Sequence, residues 1–127
     1  MLITETVLSA LLAPIWLSQI ISPVKTSLPM EITNPSVGQI RAEITTQAEA
    51  VHFNVELALA VASCESSFIY DNKNKNSSAK GVYQFIDGTW DWIEAEGHQF
   101  DYKENIKQFL IWYQKYPSWW SECNKLL

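Results

Sequence analysis

The stretch from Ala62 to Trp90, ASCESSFIYDNKNKNSSAKGVYQFIDGTW, contains the residues best suited to acid–base chemistry. Glu65 stands where an apolar segment ends, with Cys64 before it and two serines after it. Desolvation at such a place disfavours a charged carboxylate and raises its pKa, and the negative end of a helix dipole acts in the same direction. A carboxyl group whose pKa is raised in this way is suited to donate a proton to a leaving oxygen near neutral pH. The alternative is that Glu65 is only the first solvated residue after a buried segment.

Two helices are predicted to precede and carry Glu65. After Pro35, apolar residues recur at three- and four-residue steps and predict one apolar helix face: Val37, Ile40, Ile44, Ala48 and Val51. His52-Phe53-Asn54 breaks this helix, and Asn54 is a good N-cap for the next one. Residues 55–67, VELALAVASCESS, are apolar almost all round, so they are predicted to form the central buried helix.

The segments that follow Glu65 are predicted to be a loop, a short apolar run and a short helix. Residues 70–81 are polar and helix-breaking, which indicates a surface loop. Residues 81–85, GVYQF, suit either a strand fragment or an extended turn. In residues 87–97, Thr89 is a candidate N-cap and Gly97 a candidate residue just beyond the helix C-terminus.

A further helix is predicted over residues 101–116, with one apolar side: Ile106, Phe109, Leu110 and Tyr113. Pro117 ends it, and residues 118–127 offer one or two last helical turns. The chain is therefore predicted to be a mainly α domain over residues 35–127.

Residues 1–34 are predicted to be an N-terminal appendage to this domain. Val7 to Ile21 is an apolar run, and residues 22–36 hold three prolines and little periodicity, as a linker does. The length of the run suits a targeting segment or a short membrane anchor. An ordinary apolar helix packed on the domain is the other interpretation, since Glu5 lies in the first residues and no Lys or Arg does.

Charge and cysteine content exclude some partners. A net charge of -5 and a pI near 4.9, without any cluster of Lys or Arg, argue against nucleic-acid binding. Two cysteines without a matching pair of histidines do not suggest zinc, and no metal or other cofactor is predicted. In a secreted domain, Cys64 and Cys123 would pair; in a cytosolic protein they would be two unrelated thiols.

Several motifs in order resemble the lytic transglycosylases of the lysozyme-like superfamily. Glu65-Ser66-Ser67-Phe68 is similar to the family's Glu-Ser-x-Phe at a helix end, and Gly81-Val82-Tyr83-Gln84 to its later Gly-hydrophobic-x-Gln. Asn105-Ile106 matches a further Asn-Ile. Cys64-Glu65-Ser66, Gly88-Thr89-Trp90 and Trp120-Ser121-Glu122-Cys123 resemble the resuscitation-promoting factor branch. The resemblance covers residues 36–127.

The resemblance implies a small lysozyme-like helical fold, an extracytoplasmic location, and a cleft that binds peptidoglycan glycan strands. It implies that Glu65 is the sole catalytic acid, that Gln84 and Thr89 line the cleft, and that Trp90 supports it. It also implies a disulfide between Cys64 and Cys123. The full set of implied substrate-binding residues is Ser66, Tyr83, Gln84, Thr89, Trp90 and Asn105.

Because no aspartate falls in a convincing partner motif, the resemblance favours a single-acid transglycosylase reaction over hydrolysis with a second carboxylate. A lysozyme-type hydrolase and a non-catalytic peptidoglycan-binding module remain as alternatives. The tryptophans also have two interpretations, because they either stack on sugar rings or fill the core. The core interpretation is favoured for Trp92, Trp112, Trp119 and Trp120.

Overall fold

Helices dominate the part of the chain that the computed structural model describes, residues 34–127. They are α1 (Val37–Ala50), α2 (Val55–Ser66), α3 (Asp87–Trp92), α4 (Tyr102–Tyr113), a 3₁₀ helix (Pro117–Trp120) and α5 (Ser121–Asn124). In these residues, β structure consists of isolated bridges that pair Lys80 with Lys73 and Phe85. The predicted mainly α class is confirmed. The predicted targeting or anchor segment lies outside the described residues, none of whose helices has the length and apolarity to cross a membrane.

Helix α1 begins at a capping box. Ser36 Oγ accepts the Gln39 N–H at 3.2 Å, and Gln39 Oε1 accepts the Ser36 N–H at 2.8 Å. Two otherwise unpaired backbone donors are satisfied by this exchange, so the helix start is well defined. The predicted apolar face is confirmed at its centre, where Ile40, Ile44 and Ala48 are buried, whereas Val37 and Val51 at its ends are exposed.

Helix α2 begins where predicted, with Asn54 Oδ1 accepting the Leu57 N–H at 3.1 Å. Ala58, Val61 and Ala62 are fully buried against the rest of the domain. The other face is open, since Glu56 and Cys64 are exposed. The prediction of a central buried helix is therefore correct for one face only, and α2 delivers Glu65 to the surface of the domain.

Helix α3 differs from its prediction at both ends. It begins at Asp87 after the extended residue Ile86, so Thr89 is its third residue and not its N-cap. It ends at Trp92, and Glu94, with a φ of 56°, adopts the left-handed conformation soon after. Gly97 also has a positive φ but lies beyond this turn, so it does not terminate the helix.

Helix α4 supplies the largest share of the core. Asp101 caps it by accepting the Lys103 and Glu104 N–H groups, both at 3.2 Å. The predicted apolar side is confirmed at three positions, with Ile106, Phe109 and Leu110 buried, whereas Tyr113 is half-buried. The Phe109 ring stacks on Tyr83 with the ring centroids 3.7 Å apart, and Trp120 meets Phe109 edge-on at 4.9 Å. Tyr83, in the turn before α3, and Trp120, in the C-terminal segment, thus both pack against Phe109.

A disulfide joins Cys64 in α2 to Cys123 in α5, with the two Cα atoms 5.8 Å apart. The implied pairing is confirmed. Cys123 is buried, whereas Cys64 is exposed. Because structural disulfides persist in oxidising compartments, this bond indicates an extracytoplasmic environment.

Candidate active site

Glu65 lies in the last turn of α2, one residue before the helix ends, and its side chain is half-buried. Desolvation by this burial raises the pKa of its carboxyl group from 4.5 to about 7. A general acid works best when its pKa is close to the working pH. The raised pKa follows the direction that the sequence predicted, and the carboxyl is about half protonated at pH 7.

The chain reverses immediately after Glu65 through two left-handed residues. Ser67 and Phe68 have φ angles of 54° and 62°, which a non-glycine residue adopts at a cost of about 1 kcal/mol or more. Burial of the Phe68 ring, under the Arg41 guanidinium at 4.9 Å, holds this conformation in place. The strained turn fixes the backbone just beyond the glutamate.

Asn72 connects the Glu65 turn to the turn that carries Gln84. Its side-chain amide donates to the Ser66 carbonyl at 3.4 Å. Its own carbonyl accepts the Gly81 N–H at 2.9 Å and the Gln84 Nε2–H at 3.0 Å. This residue was not predicted, because one asparagine inside a polar run cannot be told from its solvated neighbours by type or spacing.

A cavity of about 300 Å³ lies beside this network. The structure brings together the two residues expected to line a cleft, Gln84 and Thr89. The remaining lining is mostly apolar: Phe85, Ile86, Trp119 and Trp120.

Glu65 is not among the lining residues of the cavity, but it is linked to them on both sides. On one side, Ser66 connects through Asn72 to Gln84. On the other, Cys64 is bonded to Cys123, which lies three residues after Trp120. The residues on either side of the glutamate are therefore connected to segments that line the cavity.

Three residues predicted to bind substrate are placed in the interior instead. Ser66 is buried and donates its hydroxyl to the Ala62 carbonyl at 3.3 Å. Tyr83 is fully buried and donates its hydroxyl to the Ala58 carbonyl at 2.7 Å. Asn105 is fully buried as well, with its amide between Tyr83 and Gln99. Since such side chains cannot reach a ligand at the surface, we reassign all three to holding the site together.

Trp90 is a fourth buried member of the implied substrate-binding set, so only a supporting role is left to it. It is buried, its indole N–H donates to the Gly97 carbonyl at 2.9 Å, and its ring meets Phe85 edge-on at 5.3 Å. Phe85 lines the cavity. Trp90 therefore acts on the site through the packing of its wall.

Two of the aspartates, Asp87 and Asp101, are engaged in other contacts. Asp87 accepts hydrogen bonds from Lys80 at 2.6 Å and Gln99 at 2.7 Å, and these hold its pKa below the ordinary value. Asp101 caps α4.

Within residues 34–127, no three His, Cys, Asp or Glu side chains cluster as metal ligands would. A scan against protein-family models found none that matches the chain.

Proposed function

We propose that this chain is a peptidoglycan lytic transglycosylase that cleaves the β-1,4 bond between N-acetylmuramic acid and N-acetylglucosamine. The observation that carries the proposal is the half-buried Glu65, whose pKa is about 7. Near neutral pH the same group exists both as an acid and as a base, so it can serve the two proton transfers of a single-carboxylate mechanism.

In the proposed reaction, the Glu65 carboxyl donates its proton to the glycosidic oxygen, and the bond from that oxygen to C1 of N-acetylmuramic acid breaks. The carbonyl oxygen of the neighbouring N-acetyl group stabilises the cationic C1. Glu65, now a carboxylate, accepts the proton of the 6-hydroxyl while that oxygen bonds to C1. The products are a free 4-hydroxyl and a 1,6-anhydro ring, and Glu65 is again protonated without any water being consumed.

Gln84 and Thr89 are proposed to orient the sugar. Gln84 Nε2 donates to the Asn72 and Gly81 carbonyls at 3.0 and 2.8 Å, so the side-chain oxygen is left as an acceptor for a hydroxyl or amide N–H of the substrate. The Thr89 hydroxyl, in the third position of α3, offers both a donor and an acceptor. Fixed polar groups of this kind favour the geometry in which the 6-hydroxyl faces C1.

A lysozyme-like arrangement of the helices and secretion or membrane tethering belong to the same proposal. The order of the elements supports the lysozyme-like arrangement. A helix ends at a lone carboxylate, a polar loop follows, and the chain then returns to the wall of the cavity. The disulfide supports secretion or membrane tethering, because such bonds form and persist in oxidising compartments.

The test is mass spectrometry of the soluble fragments that the oxidised full-length protein releases from purified peptidoglycan. Glu65→Gln removes the titrating group while keeping its shape, and Glu56→Gln, on the exposed face of the same helix, is the matched control. Fragments with 1,6-anhydro ends from the wild type and Glu56→Gln, but not from Glu65→Gln, are expected.

Fragments heavier by one water would replace the proposal with a hydrolase. If the folded protein releases no fragments, the remaining interpretation is a non-catalytic peptidoglycan-binding module. Equal release by Glu65→Gln would remove the catalytic role of this residue.

A further inference from the structure

Four aromatic side chains form a partly exposed cluster, called here the aromatic patch: Trp92, Trp112, Tyr116 and Trp119. Trp92, Tyr116 and Trp119 are 62%, 41% and 39% exposed, so the interpretation of these tryptophans as core residues is wrong for Trp92 and Trp119. Trp120 is a core residue as predicted. Large aromatic groups left open to water in one cluster indicate a surface that another molecule covers.

The rings of the patch are arranged as a connected set. Trp112, Tyr116 and Trp119 are near-parallel, with interplanar angles of 9° to 22° and centroid distances of 4.9 to 6.0 Å. Trp92 lies across them, 5.4 Å from Trp112 and 6.4 Å from Trp119. Elements distant in sequence, α3 and the C-terminal segment, thereby present one aromatic surface.

The indole N–H groups divide the tryptophans into two classes. Those of Trp90, Trp112 and Trp120 donate to Gly97, Gln108 and Tyr83 at 2.9 to 3.0 Å. Those of Trp92 and Trp119 donate to no other residue within 34–127. The two most exposed indoles of this part of the chain are thus free to donate to a hydroxyl or carbonyl of a ligand.

A buried ladder of polar side chains fixes the inner edge of the patch. Gln108 donates to Glu104 Oε1 at 2.6 Å and accepts the Trp112 indole N–H at 3.0 Å. Both Gln108 and Glu104 are buried on α4. Because Trp112 is already ordered, a ligand that binds the patch loses little of its affinity to ordering the protein.

The patch is continuous with the cavity through Trp119, which belongs to both. A cavity of about 300 Å³ is at the small end of ligand pockets, so most of a polymeric strand must lie outside it. The C–H faces of pyranose rings suit aromatic faces, whose π-systems are negative. The net charge of -5 disfavours an anionic lipid surface as the occupant.

We propose that the aromatic patch binds the sugar rings of the glycan strand next to those at the cavity. This inference rests on the proposed function, because it assumes that the substrate is a polysaccharide. It assigns Trp92 and Tyr116 to strand binding and gives them no part in the chemistry.

Binding is measured by co-sedimentation of the full-length Glu65→Gln protein with insoluble peptidoglycan, so that cleavage does not interfere. Trp92→Ala and Tyr116→Ala are each expected to weaken binding about 5- to 10-fold, near the low end of what one stacked base contributes on an aromatic nucleic-acid-binding platform. Ile111→Ala, at a side chain of similar exposure on the outer face of α4, is the matched control and should bind as the parent does. Unchanged binding by both patch variants would overturn the proposal.

A second measurement needs no substitution and covers the case in which a variant fails to fold. In NMR titration of the wild type with an N-acetylglucosamine hexamer, the indole N–H signals of Trp92 and Trp119 should move, and that of Trp90 should not. Signals of Trp92 and Trp119 that stay in place at saturation would overturn the proposal. So would a Trp92-dependent association with vesicles of phosphatidylethanolamine and phosphatidylglycerol that exceeds binding to peptidoglycan.

The two proposals fail in different ways. Release of anhydro fragments with no loss of binding in the patch variants would refute the patch alone. Patch-dependent binding by a wild-type protein that releases no fragments would refute the transglycosylase and leave the patch standing.

Discussion

Asn105 Oδ1 accepts the backbone N–H of Tyr83 at 2.9 Å, so a residue at the start of α4 holds the turn that carries Gln84. The same amide donates to the Gln99 carbonyl at 2.9 Å. Its side chain also packs directly against Gly81, whose φ of 88° and close surroundings leave no room for a Cβ atom. Asn105 therefore sets the position of the cavity wall from the interior.

Asn105→Ala is expected to lower the free energy of unfolding by about 3 kcal/mol, because the Tyr83 N–H and the Gln99 carbonyl both lose a buried partner. Urea unfolding followed by tryptophan fluorescence measures this change. Thr89→Ala is the contrasting variant, since its half-buried hydroxyl lies at the cavity. It should change stability by less than about 0.5 kcal/mol and lower the rate of fragment release. An Asn105→Ala protein as stable as the wild type would show that these two hydrogen bonds do not hold the turn in place.

The helices were predictable from the sequence because their signals are local. The four-residue spacing of Ile40, Ile44 and Ala48 gives α1, and Asn54 marks the start of α2. The limits of α3 were not predictable, because Thr89 has the right type for an N-cap. The N-cap is instead Ile86, three residues earlier, and the helix begins at Asp87, which Lys80 and Gln99 anchor through its side chain.

The site was predictable only in part, because a motif reports residue types in order, whereas burial depends on contacts between residues far apart in the sequence. Glu65, Gln84 and Thr89 were identified from residue types in order, and the structure gives Glu65 a raised pKa and places the other two at one cavity. The burial of Tyr83 depends on contacts with Ala58 and Phe109, far away in sequence. Such contacts leave no trace in a motif, so a buried tyrosine and a sugar-binding tyrosine look alike before folding.

Glu65→Gln is expected to stabilise the fold in a pH-dependent way. The pKa of Glu65 is about 7 in the fold and near 4.5 when the chain is unfolded, so the unfolded chain releases its proton first. The wild type therefore loses stability between pH 4.5 and about 7, and this loss is complete above that range. Allowing for the exposed part of the side chain, the variant should gain about 1 kcal/mol at pH 8 and almost nothing at pH 4.

Thermal unfolding at both pH values measures the effect, with Glu56→Gln as the exposed control. Equal midpoints for Glu65→Gln and the wild type at pH 8 would show that Glu65 is not desolvated.

The rate of anhydro-fragment release should have a single alkaline limb. Only the protonated Glu65 starts the proposed reaction, so kcat/KM should be flat below its pKa of about 7 and fall about tenfold per pH unit well above it. Initial rates on purified peptidoglycan between pH 5 and pH 9 give the profile. A bell-shaped curve would instead indicate a second essential carboxylate and favour hydrolysis.

Loss of the disulfide should cost stability and then activity. Cys64 and Cys123 are 59 residues apart, and closing a loop of that length contributes about 4 kcal/mol in the chain-entropy model. The double variant Cys64→Ser/Cys123→Ser is therefore expected to lose about this much free energy of unfolding and to unfold at a lower urea concentration. Cys123 is buried three residues after Trp120, a wall residue of the cavity, so fragment release should also fall as the C-terminal segment loosens.

The matched measurement is the wild type with and without a reductant. Reduced wild type should behave as the double variant does, and the double variant itself should not respond to the reductant. If reduction leaves the midpoint of the wild type unchanged, the packing of Trp120 on Phe109 and Phe85 is sufficient to hold the C-terminal segment. The disulfide would then serve to place Cys64, and with it Glu65, without carrying the stability of the fold.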